Sequence, residues 1–141
     1  MKKYLSLLML SFAVFMFNCG SDDGPNLIEF ETLEIGDQSP YDPGRGGYVL
    51  NDDPEYEAIF GTAASVDFDT ETVIAVFLGT VGNDVVSYEI TEVLDEVSQI
   101  TVTITYRVPR VPAGPNSSPY HVIKTRKLSR SINFSTLEIR E

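Results

Sequence analysis

The sequence predicts a mainly β domain, an antiparallel sheet or small sandwich with one short helix at about residues 53–61. Three observations predict it. Residues 99–108 alternate strictly between apolar and polar side chains, which is the period of a half-buried strand. Residues 73–78 are apolar at every position, as in a central strand covered on both faces. Prolines and glycines collect in two stretches, 39–47 and 109–119, that cannot continue a regular element.

Along the chain, 27–35 reads as a strand whose apolar parity switches from Ile28 and Phe30 to Leu33 and Ile35, so a bulge or bend is expected there. After the loop of 39–47, Gly47 to Leu50 reads as a short strand. The helix follows. Asn51, Asp52 or Asp53 can cap it, Pro54 suits its first turn, and Glu55 and Glu57 favour its positive end. Tyr56, Ile59 and Phe60 make one apolar face, and Gly61 is the stop. Two to three turns are not stable alone, so this helix must pack on the sheet. Next comes the buried run of 73–78. Val86, Tyr88, Ile90 and Leu94 then share one parity, interrupted by Glu92, and the polar link Asp95 to Ser98 predicts a hairpin with the 99–108 strand. Residues 120–128 and 132–139 complete the strands. In the last one the parity switches from Ile132 and Phe134 to Leu137 and Ile139, again suggesting a bulge.

Lys2 and Lys3 precede an apolar run from Tyr4 to Phe17, broken only by Ser6 and Ser11. A membrane-spanning helix needs about 20 apolar residues, so this run fits a signal segment better than an anchor. The chain's single cysteine, Cys19, follows that run after one residue, Asn18, and Gly20-Ser21-Asp22-Asp23 come next. This arrangement resembles a bacterial lipoprotein signal. The resemblance implies removal of residues 1–18, acylation of Cys19 and a place on the outer membrane, with the acidic tract like those of surface-exposed lipoproteins. Residues 19–26 are then a flexible acidic tether and 27–141 a single β-rich domain.

Without residues 1–18 the chain holds eight basic and 21 acidic residues, a net charge of −13. That opposes a phosphate backbone, so no nucleic-acid partner is expected. One Cys and one His exclude a disulfide framework and a Cys/His zinc site. No cofactor or metal is expected. The charge is unevenly spread: residues 20–96 carry 19 acidic residues against Arg45, while 97–141 carry seven basic residues against two acidic. Lys124, Arg126, Lys127 and Arg130 either pair with the acidic half across the sheet or form a basic patch for an acidic partner.

Val66-Asp67-Phe68-Asp69 leading into the apolar strand that ends at Gly79, the hairpin, and Ser118-Pro119-Tyr120-His121-Val122-Ile123-Lys124 occur in an order that resembles the C-terminal domain of the protease complex subunit PrcB family. The resemblance covers about residues 48–128. It implies a small envelope lipoprotein domain, in some members an accessory subunit of a cell-surface protease. Where that family often carries Gly-Gly-Tyr, a turn also suggestive of chagasin-like protease inhibitors, this chain reads Asp84-Val85-Val86.

No Gly-x-Ser-x-Gly element or phosphate-cradling loop is present, and the lone His121 lies in a predicted strand, where packing is the expected role. The expectation is therefore no enzyme: an envelope lipoprotein, anchored by its lipid, that binds another protein such as a protease. The alternatives are a chagasin-like protease inhibitor and a carbohydrate- or calcium-binding module using Tyr41, Tyr48, Tyr120 and the acidic cluster Asp67, Asp69 and Glu71. Candidate binding residues lie in 79–86 and 107–121: Gly79, Asp84, Arg107, Arg110, Pro119, Tyr120 and His121.

Overall fold

A computed structural model describes residues 24–82, 85–111 and 114–141. The expected signal segment of 1–18, Cys19, most of the tether and Asp84 lie outside the described residues. The elements run β1 (Asn26–Leu27), β2 (Phe30–Gly36), β3 (Gly46–Leu50), α1 (Asp53–Phe60), β4 (Glu71–Phe77), β5 (Ser87–Asp95), β6 (Ile100–Val108), β7 (Tyr120–Arg126) and β8 (Ile132–Arg140). They form two four-stranded sheets, β1-β5-β6-β8 and β2-β7-β4-β3, packed as a sandwich. Among the described residues the fold is mainly β with one short helix, as the sequence predicts.

Period-two patterning decides which residues meet between the sheets. Ile74 and Val76 of β4 and Ile123 of β7 face Ile90, Val93, Ile100, Val102 and Ile104 of the first sheet and form the central core. The opposite face of β4 and β7, carrying Val73, Ala75, Phe77, Tyr120 and Val122, is also covered. Leu50, Phe60, Tyr56 and Ile59 cover it, with Leu33, Tyr41 and Phe68. An apolar run in β4 is therefore required, because both of its faces are interior. The helix begins at Asp52, whose carboxylate accepts the Glu55 N–H at 2.9 Å, and ends at Gly61 in the left-handed region with φ of 70°.

The parity switch expected in 27–35 is a β-bulge between Thr32 and Glu34. It carries the chain from Ile28 and Phe30, on the central core, to Leu33, on the outer one. Two expectations need correction. A second bulge, between Ile90 and Glu92, makes Val93 the buried residue of β5, in place of Leu94, and Val86 lies outside the strand and exposed. In β8 no bulge occurs: it pairs with β6 in parallel in unbroken register from Ile132 to Arg140. An edge strand exposed along most of its length does not have to keep one apolar parity, so Leu137 simply faces solvent.

Candidate functional site

The registers place Gly36, Tyr120, Phe77 and Gly46 in one row across the second sheet, and pair Ser87 with Arg107 in the first. Loop 37–45 and the described parts of 78–86 and 109–119 therefore emerge side by side at one end of the sandwich. Loop backbones are stitched together: Ser118 N–H donates to Asp37 O at 2.9 Å and Ser39 N–H to Ser118 O at 2.8 Å. Val81 and Ser117 exchange N–H to carbonyl bonds of 2.8 and 3.0 Å, and Arg110 N–H reaches Glu141 O at 2.7 Å. A cleft of about 260 Å³ remains among them, lined by Ser39, Tyr41, Pro43, Thr80, Ser118 and Pro119. At the other end lie the β5–β6 hairpin tip and Asn26, which pairs with Asp95 where the chain enters the fold.

Beneath the cleft the Glu34 carboxylate accepts two phenol hydrogens, from Tyr41 at 3.0 Å and from Tyr120. The Tyr41 ring meets Phe60 edge-on, with centroids 4.8 Å apart, and Tyr120 stacks parallel to Phe77 at 6.0 Å. Burial first, and the Glu34 carboxylate second, raise both phenols above their usual range. Tyr48 O–H donates to Pro43 O at 2.6 Å and pins the first loop. The three tyrosines thus close the outer core with their polar tips engaged. Sequence reasoning passed over Glu34. Its signal was a carboxylate beside the parity switch, since the bulge turns Glu34 to the side of Tyr120.

His121 is 3% exposed and joins the two sheets. Its Nδ1 accepts the Ile90 N–H at 2.9 Å, next to the β5 bulge, and its Nε2 lies 2.9 Å from Thr32 Oγ1. Since Nδ1 is an acceptor, Nε2 carries the proton and donates to Thr32. Burial holds the imidazole down at about 4, so it is neutral at physiological pH.

These positions sort the candidate residues. Arg110 is exposed and half-exposed Gly79 borders the cleft. Arg107 is half-exposed and salt-bridged to Glu141 at 2.7 Å. Pro119, Tyr120 and His121 are buried: Pro119 borders the cleft, Tyr120 opens β7 beneath it, and His121 lies between the sheets. Cys19 and Asp84 lie outside the described residues. Two exposed apolar residues at this end, Val86 and Val111, lie within the candidate stretches 79–86 and 107–121 without being singled out there, because single valines in loops carry no pattern.

The acidic cluster is spent on its own turn. Asp67 accepts from Asp69 N–H at 3.1 Å and from Thr70 Oγ1, and Glu71 accepts from Asp67 N–H at 3.2 Å. Among the described residues no group of His, Cys, Asp or Glu side chains is arranged to hold a metal ion. The four clustered cations of the C-terminal half engage partners on other elements. Lys124 lies 3.5 Å from Glu31 and 3.2 Å from Glu71, and Arg126 and Arg130 both meet Asp95. Lys127 donates to the carbonyls of Phe68 and Asn51. No basic patch is left over from these four residues.

No protein-family model matches the chain, and no curated protein or solved structure matches it either.

Proposed function

We propose that this chain is a non-enzymatic, lipid-anchored module of the bacterial cell envelope that presents its three-loop end to another protein. One observation carries the reading: the described chain enters at the hairpin end, so a tether on Cys19 holds that end toward the membrane and leaves the loops distal. Strands of seven to nine residues separate the two ends by about 25 Å. Loops fixed on a rigid sheet and joined backbone to backbone form a pre-ordered surface, which lowers the entropic cost of binding. Exposed Arg110, Val111, Val86 and Asp42 give it a mixed apolar and charged character suited to a protein partner. The lone histidine has both ring nitrogens committed inside the fold, which leaves it no proton-transfer role at the surface. The PrcB-like motif order is in line with this reading and suggests an envelope protease as the partner.

Site-specific photo-crosslinking in cells tests it. A crosslinker at Val111 or Arg110 is expected to trap one discrete partner, and the same group at Val97 on the hairpin tip is not. Equal trapping from both ends, or none from the loops, would sink the proposal. Loss of a protease's activity on adding the full chain identifies the inhibitor form of the same surface.

A further inference from the structure

The four edge strands of the sandwich are not equally protected. An open edge offers unpaired N–H and C=O groups to any extended chain, and folds blunt such edges with short strands, bulges or charge. β1 is two residues long. β2 is bulged at Thr32–Glu34 and carries Glu31 and Glu34. β3 has five residues and is overlain at Gly47 by the Phe134 ring. β8 has neither of the first two devices: it runs nine residues in unbroken register with β6, with six residues exposed, no Pro or Lys, and only Glu138 and Arg140 charged, paired with each other at 2.7 Å near its C-terminal end. Among the described residues nothing pairs with its outer side.

A second feature lies beside it. The seam between β8 and β3 opens into a cleft of about 180 Å³, lined mainly by apolar groups from Tyr88, Tyr106, Phe134 and Gly47, with Arg45 and Thr136 among its walls. The inward row of β8 is Phe134 and Thr136, opposite Val102 and Ile104 of β6. A strand laid outside β8 at the usual spacing of about 4.8 Å continues this row, and its inward side chains fall over the mouth of the cleft.

We propose that β8 accepts an extended segment of a partner protein as a fifth strand, with one apolar side chain of that segment filling the β8–β3 cleft. Backbone bonds along β8 supply affinity, and the cleft selects a segment with apolar residues at alternate positions. Exposed Leu137, on the outward row, adds an apolar contact on the other face. A second copy of this chain fits less well. Antiparallel self-pairing of β8 turns the two hairpin ends in opposite directions, whereas tethers in one membrane need them side by side. The choice of a partner segment over a second copy rests on the proposed lipid tether; the surface itself is other than the loop end and is tested independently of it.

The test uses the full chain in detergent and a display library of random nonapeptides. Enriched peptides are expected to alternate apolar and polar residues. The best of them, synthesised, should slow amide exchange across 132–140 at least tenfold while leaving 37–45 and 109–119 unchanged. Thr136→Trp, which fills the cleft, should weaken its binding at least tenfold, and Arg110→Ala should not. Should Thr136→Trp fold poorly, the exchange pattern of the unaltered chain still decides. Absence of alternating peptides, protection appearing elsewhere, or a dimer with 132–140 protected before any peptide is added would each overturn the proposal.

Discussion

His121 and the Glu34 pair show how single groups tie this fold to pH. The unfolded chain binds a proton at His121 near pH 6.5, and the folded chain only at about 4. Between those values the unfolded state holds more protons, so this contribution to stability is complete above pH 6.5 and is lost as the pH falls toward 4. Its size is about 3 kcal/mol at pH 4. His121→Gln retains an acceptor and a donor but cannot titrate. Urea unfolding from pH 7 to 4 should therefore show the natural protein losing about 3 kcal/mol more than the variant. An equal acid slope in both would contradict the His121 assignment. The phenols act at the other extreme. Folded Tyr41 and Tyr120 keep their protons above pH 10, where the unfolded chain releases them, so stability falls as the pH rises beyond 10. At pH 7, Tyr120→Phe removes a bond to a half-buried carboxylate and should cost about 1–2 kcal/mol in the same unfolding assay. A strand position for His121 was legible in the sequence. Its partners were not, because Thr32 and Ile90 reach it only through bulges in two other strands.

Element by element, legibility followed periodicity and failed where an element is exposed. The caps of α1, the double-sided burial of β4 and the β5–β6 hairpin follow from local spacing. The parallel partner of β8 does not, since it depends on a pairing between segments about 32 residues apart that no local pattern records. The cap at Gly61 predicts that Gly61→Ala, forced to φ of 70°, destabilises by about 1 kcal/mol in thermal unfolding, and that Asp52→Ala costs a similar amount. The seam between the sheets makes a sharper prediction. A Cβ at Gly47 would stand 2.6 Å from the Phe134 ring, so Gly47→Ala must displace that ring and should cost about 1–3 kcal/mol. With Phe134→Leu already in place the clash is relieved, and the cost of Gly47→Ala should fall by at least half. Additive losses in this double-mutant cycle would show that β3 and β8 do not press on one another there.

For the whole molecule, the separation of chain entry from the loop end turns a topology into an orientation. β1 meets β5 at the hairpin tip, β2 carries the chain away from it, and every subsequent loop of Pro/Gly character returns to the far end. The two Pro/Gly stretches were legible as loops. Their convergence was not, because it depends on the order β2-β7-β4-β3, which brings strands distant in the chain into one row. The proposed anchor at Cys19 and the fold together give an expected distance profile from a membrane. In lipid vesicles holding the acylated chain, a fluorophore introduced by Val97→Cys, on the hairpin tip, should be quenched strongly by nitroxide-labelled headgroups. The same fluorophore introduced by Val111→Cys, about 25 Å farther along the strands, should be quenched weakly. Both valines are exposed, at 82% and 74%, so neither substitution disturbs the core. Equal quenching would mean that the sandwich lies flat and that the loop end is no more available to a partner than its sides. Stronger quenching at position 111 would place the loops against the membrane and leave the edge of β8 as the more accessible surface.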